Sequence, residues 1–211
     1  MELENSRRSQ RRRQAGPKKG DIREATILDA AERLLATTPL ADITMDEIAK
    51  QAGLSRSSLY FYFGSKEAVL AGLHERTHAL MRQPTALLEV PDSSIEEAMS
   101  QAIDLTVRNW RTHRHALRTF HEVAMISPEF GEQWRTALGG YVDHLTELIE
   151  RERERGHAAP SPPSARAIAS AWFWVLEREC YELFSRKHAR AEEAELAETL
   201  TILFFRCMGR P

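Results

Sequence analysis

Cysteine is scarce in this sequence, and long uncharged apolar runs are absent. Its 211 residues include two cysteines, Cys180 and Cys207, both within segments of helical periodicity. We interpret them as free buried thiols in a reducing cytoplasm, with a disulfide or redox switch as the alternative. The longest charge-free apolar run, residues 167–176, is half of the ~20 residues that a membrane-spanning helix needs. No apolar segment follows the basic residues near the amino terminus, so we expect neither a signal peptide nor a membrane partner.

Motifs of catalysis and metal binding are also missing. The sequence has no HExxH or CxxC spacing, no glycine-rich phosphate loop and no GxSxG turn. His113, His115 and His121 are interspersed with arginines, which argues against a metal site. The carboxylates of residues 147–154 alternate with arginines at the i+3 and i+4 spacing of a solvated helix. We therefore predict that the protein is not an enzyme and has no cofactor or metal.

The formal net charge of −2 does not indicate a nucleic-acid partner, but the distribution of charge does. Residues 1–20 contain seven Arg or Lys and two Glu, a surplus of five positive charges, and show no apolar periodicity. We predict a disordered basic arm there, which follows DNA phosphates or enters the minor groove. The alternative is a solubilising tail without defined contacts. The cations of the arm are Arg7, Arg8, Arg11, Arg12, Arg13, Lys18 and Lys19.

The rest of the chain has the apolar spacing of helices, without the alternation typical of strands. A first helix starts at Asp21, and residues 65–83 form a fourth helix that ends before Pro84. Further helices are predicted over residues 94–112, 116–126, 128–155, 164–186 and 192–208. The predicted fold class is all-α, with about nine helices in two domains. These are a three-helix head over residues 21–66 and a ligand-binding and dimerisation body over residues 67–211.

Residues 44–66, TMDEIAKQAGLSRSSLYFYFGSK, predict two short helices joined by a tight turn. Thr44 is an N-cap followed by two carboxylates in the first turn, and Gly53 suits the left-handed conformation that ends a helix. Ser55 caps the second, shorter helix. Two such helices form a helix-turn-helix, whose second helix enters the major groove of DNA. From Leu54 to Ser65 the sequence has hydroxyls, aromatics and one arginine but no carboxylate, which favours a surface that faces phosphates and base edges.

We predict base-edge contacts from Arg56, Ser57 and Tyr60. Met45, in the first turn of the preceding helix, is a further candidate for contact with a thymine methyl group. The candidates for phosphate contact are Thr44, Ser55, Ser58, Tyr62 and Lys66. Packing is the alternative role for the two tyrosines, and it is the role that we assign to Phe61 and Phe63.

This sequence resembles the TetR family of one-component transcriptional regulators over about residues 23–73. The resemblance rests on ILDAAERLLA, on the Thr44 cap, on Ile48, Ala49, Ala52 and Gly53, and on LYFYF followed by Ser65, Lys66 and Glu67. Within the family, the segments PLADIT, SLYFYFGSKEAVL and ERERERGHAAP are similar to those of EthR-type repressors. The C-terminal two thirds of the chain match less closely. The resemblance implies a dimer formed through a four-helix interface of the last two helices.

In EthR-type repressors the body encloses a lipophilic tunnel lined by aromatic residues, and the resemblance implies a similar tunnel here. Trp134 and Tyr141 match aromatic positions of that tunnel, whereas Phe173 and Leu176 stand where the relatives have amide side chains. We therefore expect a small neutral lipophilic effector that is recognised by shape. An ordinary core is the alternative role for each candidate lining residue. The candidates are Met99, Ile103, Val107, Trp110, Phe120, Trp134, Leu138, Tyr141, Phe173 and Leu176.

These observations predict a cytoplasmic TetR-type repressor that binds a palindromic DNA operator as a homodimer and is released by its effector. An activator of the same fold is one alternative, and a ligand-binding module without a DNA function is another. An enzyme that carries a helix-turn-helix would need a titratable cluster inside the body, and the sequence indicates none.

Overall fold

The structure, a computed structural model, describes residues 19–89, 95–160 and 162–209. These residues form eight α-helices and one 3-10 helix, and none of them lies in a β-strand. The predicted all-α fold is confirmed. In chain order the helices are α1 (Lys19–Leu34), α2 (Met45–Ala52), α3 (Arg56–Tyr62), α4 (Lys66–Ala86), the 3-10 helix (Leu87–Glu89), α5 (Ile95–Ile126), α6 (Pro128–Glu154), α7 (Ala165–Phe184) and α8 (Arg190–Cys207).

Two helices that were predicted separately, over residues 94–112 and 116–126, form the single helix α5. This helix is kinked at His113, where φ is −115° and ψ is 23°. Buried residues continue on both sides of the kink, from Trp110 to Ala116 and Leu117, so one apolar face spans both segments. The described residues therefore contain eight α-helices instead of about nine.

Helix α1 begins at Lys19, two residues before the predicted start. The predicted disordered arm over residues 1–20 otherwise lies outside the described residues, and Lys19 and Gly20 belong to the helix. The predicted turn and helix start over residues 91–94 also lie outside them.

The end of α4 corrects a second prediction, because the helix continues through Pro84 to Ala86. A proline inside a helix lacks the N–H that would bind the carbonyl four residues earlier, which is that of Leu80. The side-chain amide Nδ2 of Asn109, on α5, donates to this carbonyl at 2.8 Å. A tertiary hydrogen bond thus replaces the missing helical one.

The chain forms two compact units that divide between Leu73 and His74, and the predicted domain boundary after residue 66 stays a prediction. The first unit, which we call the head, contains α1, α2, α3 and the beginning of α4. Helix α2 packs against both α1 and α3. The buried core of the head consists of apolar side chains from all four helices and the loop before α2: Ile27, Leu28, Ala30, Ala31, Leu35, Ile43, Met45, Ile48, Ala49, Leu59, Val69 and Leu73.

The second unit, the body, is built around α5, which packs against α6, α7, α8 and the 3-10 helix. Helix α7 packs on both α6 and α8. The buried indole N–H of Trp172 on α7 donates to the carbonyl of Leu200 on α8 at 3.1 Å. Cys180 is buried, but Cys207 is exposed, which corrects the prediction of two buried thiols. No helix within the described ranges is long and apolar enough to cross a membrane.

Candidate DNA-binding surface and effector cavity

A reciprocal pair of hydrogen bonds fixes the start of α2. The Glu47 backbone N–H donates to the Thr44 hydroxyl at 3.3 Å, and the Glu47 carboxylate accepts from the Thr44 backbone N–H at 2.9 Å and from its hydroxyl at 2.8 Å. These bonds form a capping box and lower the pKa of Glu47. The hydroxyl proton of Thr44 is therefore already donated within the head. A phosphate contact from this side chain, as predicted, requires that proton to turn outward.

Three serine hydroxyls form a connected group at the start of α3. Ser55 accepts the backbone N–H of Ser58 at 3.1 Å and donates its hydroxyl to Ser58 at 2.9 Å. A hydroxyl has one proton, so Ser57 is the donor in its 3.1 Å contact with Ser55. Ser58 is thus the member of this group whose proton remains available to a phosphate oxygen.

Arg56 and Tyr60 lie together on the exposed side of α3. The Arg56 guanidinium is 3.2 Å from the Asp46 carboxylate and lies over the Tyr60 ring, 5.6 Å from its centroid. Both charged side chains are well exposed, and such ion pairs contribute only about 0–1 kcal/mol. Phosphate or a base edge can therefore compete for the guanidinium. The ring of Tyr60 is half exposed, as a base-contacting side chain must be.

Phe61 is a surface residue, which corrects its assignment to packing. Its side chain is 82% exposed, the largest apolar exposure on α3, and its ring meets that of Tyr62 edge-on at a centroid distance of 5.2 Å. Phe63, in contrast, packs inside the head against α4, where an added Cβ at Gly72 would lie 3.1 Å from its ring. An exposed phenylalanine within an otherwise polar helix is the signal that sequence reasoning missed.

Two further predicted contacts need revision. Met45 is only 9% exposed and belongs to the core of the head, because the first turn of α2 directs it inward; we withdraw it as a base-contacting residue. The Lys66 ammonium donates to the carbonyl oxygens of Ala41 at 3.0 Å and Leu40 at 3.4 Å. It has three protons, so one remains for a phosphate while the other two hold the loop between α1 and α2.

The body contains an apolar cavity of about 40 Å³. Its walls come from α4, the 3-10 helix, α5, α6 and α7. Five of the predicted residues line it: Met99, Ile103, Tyr141, Phe173 and Leu176. The rings of Tyr141 and Phe173 stack at 5.5 Å with an interplanar angle of 7°. We call this space the main cavity.

A smaller cavity of about 20 Å³ shares walls with the main cavity at Met81, Phe173 and Leu176. Three more predicted residues, Trp110, Trp134 and Leu138, line the smaller cavity. The two cavities are therefore neighbours with shared wall residues, and the predicted tunnel stays a prediction.

Two predicted lining residues, Val107 and Phe120, reach neither cavity. Both are buried core residues. Phe120 stacks on Phe130 at 6.1 Å and meets His74 at 5.1 Å. The spacing that places them on the inner side of α5 cannot distinguish a cavity wall from an interior contact.

Sequence reasoning missed the walls that α4 supplies. Met81, Pro84 and Thr85 line the main cavity, and Leu88 of the 3-10 helix completes that side. Pro84, Thr85 and Leu88 were missed because a proline was expected to end α4 after residue 83. Met81 lies within the predicted helix but was not assigned to the cavity. Asn109 keeps the helix continuous, and the extra turn closes the cavity.

Several polar groups beside the cavities have partners within the protein, whereas the buried indole N–H of Trp110, beside the smaller cavity, has none among the described residues. The Tyr141 hydroxyl donates to the His78 carbonyl at 3.3 Å, and the Thr106 hydroxyl donates to the Ala102 carbonyl at 2.9 Å. Burial raises the pKa of Tyr141, so its hydroxyl stays protonated. Glu177 lies 2.7 Å from His121 Nδ1. The described ranges contain no group of three His, Cys, Asp or Glu side chains that could hold a metal ion. The cavities are thus suited to apolar ligand surface.

The sequence also matches known protein families along both units. The profile of bacterial regulatory proteins of the tetR family matches residues 27–73. The profile of the C-terminal domain of the transcriptional regulator EthR matches residues 99–208, just over half of the chain. The chain belongs to the TetR family. The predicted family is therefore confirmed.

Relatives of this TetR-family chain include two proteins named HTH-type transcriptional regulator EthR. The one from Mycobacterium tuberculosis (strain ATCC 25618 / H37Rv) is 36% identical over 191 residues, which cover 90% of this chain and 88% of the relative. The one from Mycolicibacterium smegmatis (strain ATCC 700084 / mc(2)155) is 32% identical over 205 residues, which cover 95% and 93%.

Solved structures of other regulators show the same fold. A TetR-like transcriptional regulator from Rhodococcus sp. RHA1 and the fatty acid degradation regulator FadR from Bacillus halodurans both align with a TM-score of 0.71 at 20% identity. The alignments cover 92% of this chain and 99% of the first structure, and 91% and 96% for the second. TetR-family regulators bind DNA and act as dimers. This chain is a helix-turn-helix transcriptional regulator of the EthR-like repressor type and not an enzyme.

Proposed function

We propose that this regulator is a cytoplasmic homodimer that binds a palindromic operator and is released from it by a small neutral lipophilic molecule. The observation that carries the DNA-binding part is the outer surface of α3. It exposes hydroxyls, aromatic rings and one guanidinium, and the sequence has no carboxylate from Leu54 to Ser65. Such a surface matches the acceptors and methyl groups of the major groove together with the flanking phosphates.

We assign the contacts on DNA by side-chain chemistry. Arg56, Ser57 and Tyr60 face base edges, and the exposed ring of Phe61 joins them as an apolar contact for a thymine methyl group. The phosphate contacts come from hydroxyls and one ammonium group at the edges of this surface: Thr44, Ser55, Ser58, Tyr62 and Lys66. Thr44 and Ser55 make theirs when their hydroxyl protons turn away from Glu47 and Ser58. The residues over 1–20 add sequence-independent affinity that decreases as the salt concentration rises.

Exposed apolar side chains on α7 and α8 support the homodimer. Trp174 and Val175 on α7, and Ile202 and Leu203 on α8, are each about 40% exposed, although both helices already bury another face in the body. A four-helix interface between two copies would cover these side chains. Its two-fold symmetry would repeat the head at the two half-sites of a palindrome.

The main cavity supports the lipophilic effector. It has apolar walls, and a volume of about 40 Å³ holds only a few water-sized groups. A larger ligand must therefore displace the walls, and one wall is α4 at Met81, Pro84 and Thr85. The same helix begins at Lys66, shortly after α3 in the sequence. An effector that moves α4 thereby acts on the element that connects the cavity to the head.

The expected strength of this coupling follows from general energetics. A ligand shifts an equilibrium only by its difference in affinity for the two states. Allosteric couplings of about 1–3 kcal/mol are typical, and they would weaken operator binding by ~5- to 150-fold.

The test begins with selection of bound sequences from a random DNA pool, which we expect to yield an inverted repeat. Operator affinity is then measured with methyl decanoate, a neutral lipophilic probe, and with decanoate as its charged counterpart. We expect the ester to weaken DNA binding and the carboxylate to act less strongly. Selection of no defined sequence would contradict the DNA-binding part. An ester that binds without changing operator affinity would contradict the induction part alone.

A cavity-filling variant sharpens the effector test. Ala102 is buried and lines the main cavity, so Ala102→Leu should occupy the space that the ester needs. We expect this variant to bind the operator and to lose the response to the ester. Ala86→Leu, at the exposed end of α4, is the matched control and should keep the response. Equal responses of both variants would mean that the ester acts elsewhere.

A further inference from the structure

A second, polar cleft of about 620 Å³ lies in the body. One wall is a face of α5 that carries Arg111, Arg114 and Arg118, and the other wall is the end of α7 at Phe184 with the loop that follows it, over residues 185–188. None of these residues lines the main cavity or the smaller cavity. The cleft is therefore a separate feature that neither operator binding nor the lipophilic effector uses.

Positive charge dominates the cleft, although the chain as a whole has a net charge of −2. Five cationic side chains line it, namely Arg111, Arg114, Arg118, Arg186 and Lys187, against the single carboxylate of Glu193. Three neighbours pair with the lining residues: Glu122, Glu192 and Arg190. With these included, six cations face three carboxylates, which leaves a surplus of three positive charges.

The internal ion pairs leave part of this charge uncompensated. Arg186 lies 2.6 Å from Glu192, and Arg118 lies 3.5 Å from Glu122. Arg114 and Lys187 are exposed and have no ion-pair partner among the described residues. These two cations come from opposite walls of the cleft, so an anion between them would be bound from both sides.

Glu193 organises the cleft instead of neutralising it. Its carboxylate is buried, accepts from Arg111 Nε at 2.7 Å, and lies 3.0 Å from His188 Nε2. Burial opposes ionisation of this group, but the hydrogen bonds from Arg111 and His188 outweigh it and lower the pKa of Glu193. An ionised Glu193 thus holds Arg111 in the wall, where the remaining N–H groups of its guanidinium can face an anion.

The base of the cleft includes the ring of Phe184. The ring is buried, stacks on Trp110 at 6.2 Å, and meets His188 edge-on at 5.0 Å. The cleft therefore combines one apolar lining residue with cationic walls. This combination suits an organic molecule that carries an anionic group better than a bare inorganic ion.

We propose that this cleft binds a small phosphorylated metabolite and gives the regulator a second ligand site, independent of the lipophilic effector. Guanidinium groups bind phosphate oxygens through paired, charge-assisted hydrogen bonds. The volume of the cleft is in the range of small-molecule sites, which is about 300–1,000 Å³. The organic part of the ligand would lie on Phe184, and its phosphates would lie between Arg114 and Lys187.

Calorimetric titration of the full chain with ADP and with pyrophosphate, at an ionic strength of about 0.15 M, tests this site. We expect ADP to bind and pyrophosphate to bind more weakly, because it lacks the organic part. Arg114→Ala combined with Lys187→Ala should weaken ADP binding by about tenfold or more. The matched control is Arg166→Ala, which removes an exposed arginine that is paired with Asp143 at 2.6 Å, outside the cleft.

Three outcomes would overturn the proposal. The wild-type chain could fail to bind ADP, or the double variant could bind it as tightly as the Arg166→Ala control. As a third outcome, the wild type could fail to bind ADP while light scattering shows a changed oligomeric state for the double variant. That result would make the cleft a contact between copies of the chain. Because the readout is ligand binding, the test does not depend on operator release.

Discussion

Asn109 allows Pro84 to lie inside a helix, a position that proline normally disfavours. The proline removes a helical hydrogen bond to the Leu80 carbonyl, and the Asn109 amide supplies a replacement at 2.8 Å. Both residues are buried, and the bond to the half-buried Leu80 is partly buried, so an unpaired carbonyl here would lose a protein partner at a place of restricted access to water. The helical turn that forms one wall of the main cavity therefore depends on a side chain of α5.

Removing the Asn109 amide should destabilise the body. We expect Asn109→Ala to lower the free energy of unfolding by about 1–3 kcal/mol, because it leaves the partly buried Leu80 carbonyl without its donor. Urea unfolding followed by tryptophan fluorescence measures this change. All four tryptophans lie in the body, so the signal reports on the unit that contains the bond.

A double-mutant cycle separates this hydrogen bond from the general loss of packing. Pro84→Ala restores a backbone N–H that can donate to Leu80, so Asn109→Ala should cost less in the Pro84→Ala background. We expect a coupling energy of about 0.5–3 kcal/mol, the range for residues that share a partner. If Asn109→Ala costs the same amount in both backgrounds, Asn109 contributes through packing and not through the Leu80 carbonyl.

His74 makes the stability of the body depend on pH. Its ring is half buried among aromatic side chains, with centroid distances of 5.1 Å to Phe120, 5.0 Å to Phe130 and 5.9 Å to Trp134. Burial, with a smaller contribution from the nearby His78, lowers the pKa of His74 below 6.5. The unfolded chain therefore takes up this proton first as the pH falls. The contribution of neutral His74 to the free energy of unfolding is fully present above about pH 6.5. It is lost as the pH falls through the pKa that His74 has in the folded state.

The measurement compares the free energy of unfolding at about pH 8 and about pH 5.5. We expect a smaller loss of stability at the lower pH for His74→Phe than for the wild type, because an uncharged ring cannot be protonated. His144→Phe is the control, since this histidine is on the exposed side of α6 and its replacement should keep the wild-type loss. Equal losses for His74→Phe and the wild type would mean that other groups carry the pH dependence.

Among the helices, α3 shows both the reach and the limit of sequence reasoning. Its N-cap, its length and the absence of carboxylates are local properties, and they predicted its start and its polar character. The direction of each aromatic side chain is not local. Phe61 lies on α3, whereas Phe63 is the C-cap after it, with an extended backbone, and only the tertiary structure shows which of the two rings packs against α4.

The exposed ring of Phe61 gives a prediction for α3. We expect Phe61→Ala to weaken binding to the selected operator by on the order of tenfold, equivalent to about 1.4 kcal/mol, with little change in thermal stability. Ile126→Ala is the matched control, because Ile126 is also 82% exposed but lies at the end of α5. Fluorescence anisotropy with labelled operator DNA measures both affinities. An operator affinity of Phe61→Ala equal to that of the control would remove Phe61 from the DNA-binding surface.

The sequence predicts that the helices of the body exist, but it does not predict all of their ends or kinks. Apolar spacing located every α-helix of the body within the described residues, but it missed the 3-10 helix, divided α5 at His113 and shortened α4 at Pro84. Of the ten lining residues proposed from spacing and from the family resemblance, eight lie at a cavity, while Val107 and Phe120 pack inside the core. Periodicity identifies the inner side of a helix, and only the packed neighbours decide whether that side meets a void or another side chain.

For the whole molecule, DNA recognition depends on the assembly of two copies of the chain. Each copy of the chain contains one helix-turn-helix, so reading of a palindrome needs two copies with a fixed spacing. The exposed apolar side chains of α7 and α8 are the surface that we assign to this assembly. Met125 and Ile126, at the end of α5, are exposed more fully but do not belong to that helix pair, which makes them suitable controls.

Charge introduced on the α7 and α8 surface should separate the dimer. Val175 and Ile202 are 40% and 45% exposed, so Val175→Glu and Ile202→Glu leave the folded monomer nearly unchanged. In a two-fold interface each substitution occurs twice, and burial of unpaired carboxylates is strongly unfavourable. We expect the double variant to sediment as a monomer at micromolar concentration and to keep its helical circular dichroism. We expect it to bind the operator at least about 100-fold more weakly, because a monomer engages one half-site at a time. The control Ile126→Glu should remain a dimer with wild-type operator affinity. A double variant that stays dimeric would place the interface on another surface, and the half-site spacing would then have to be explained by other helices.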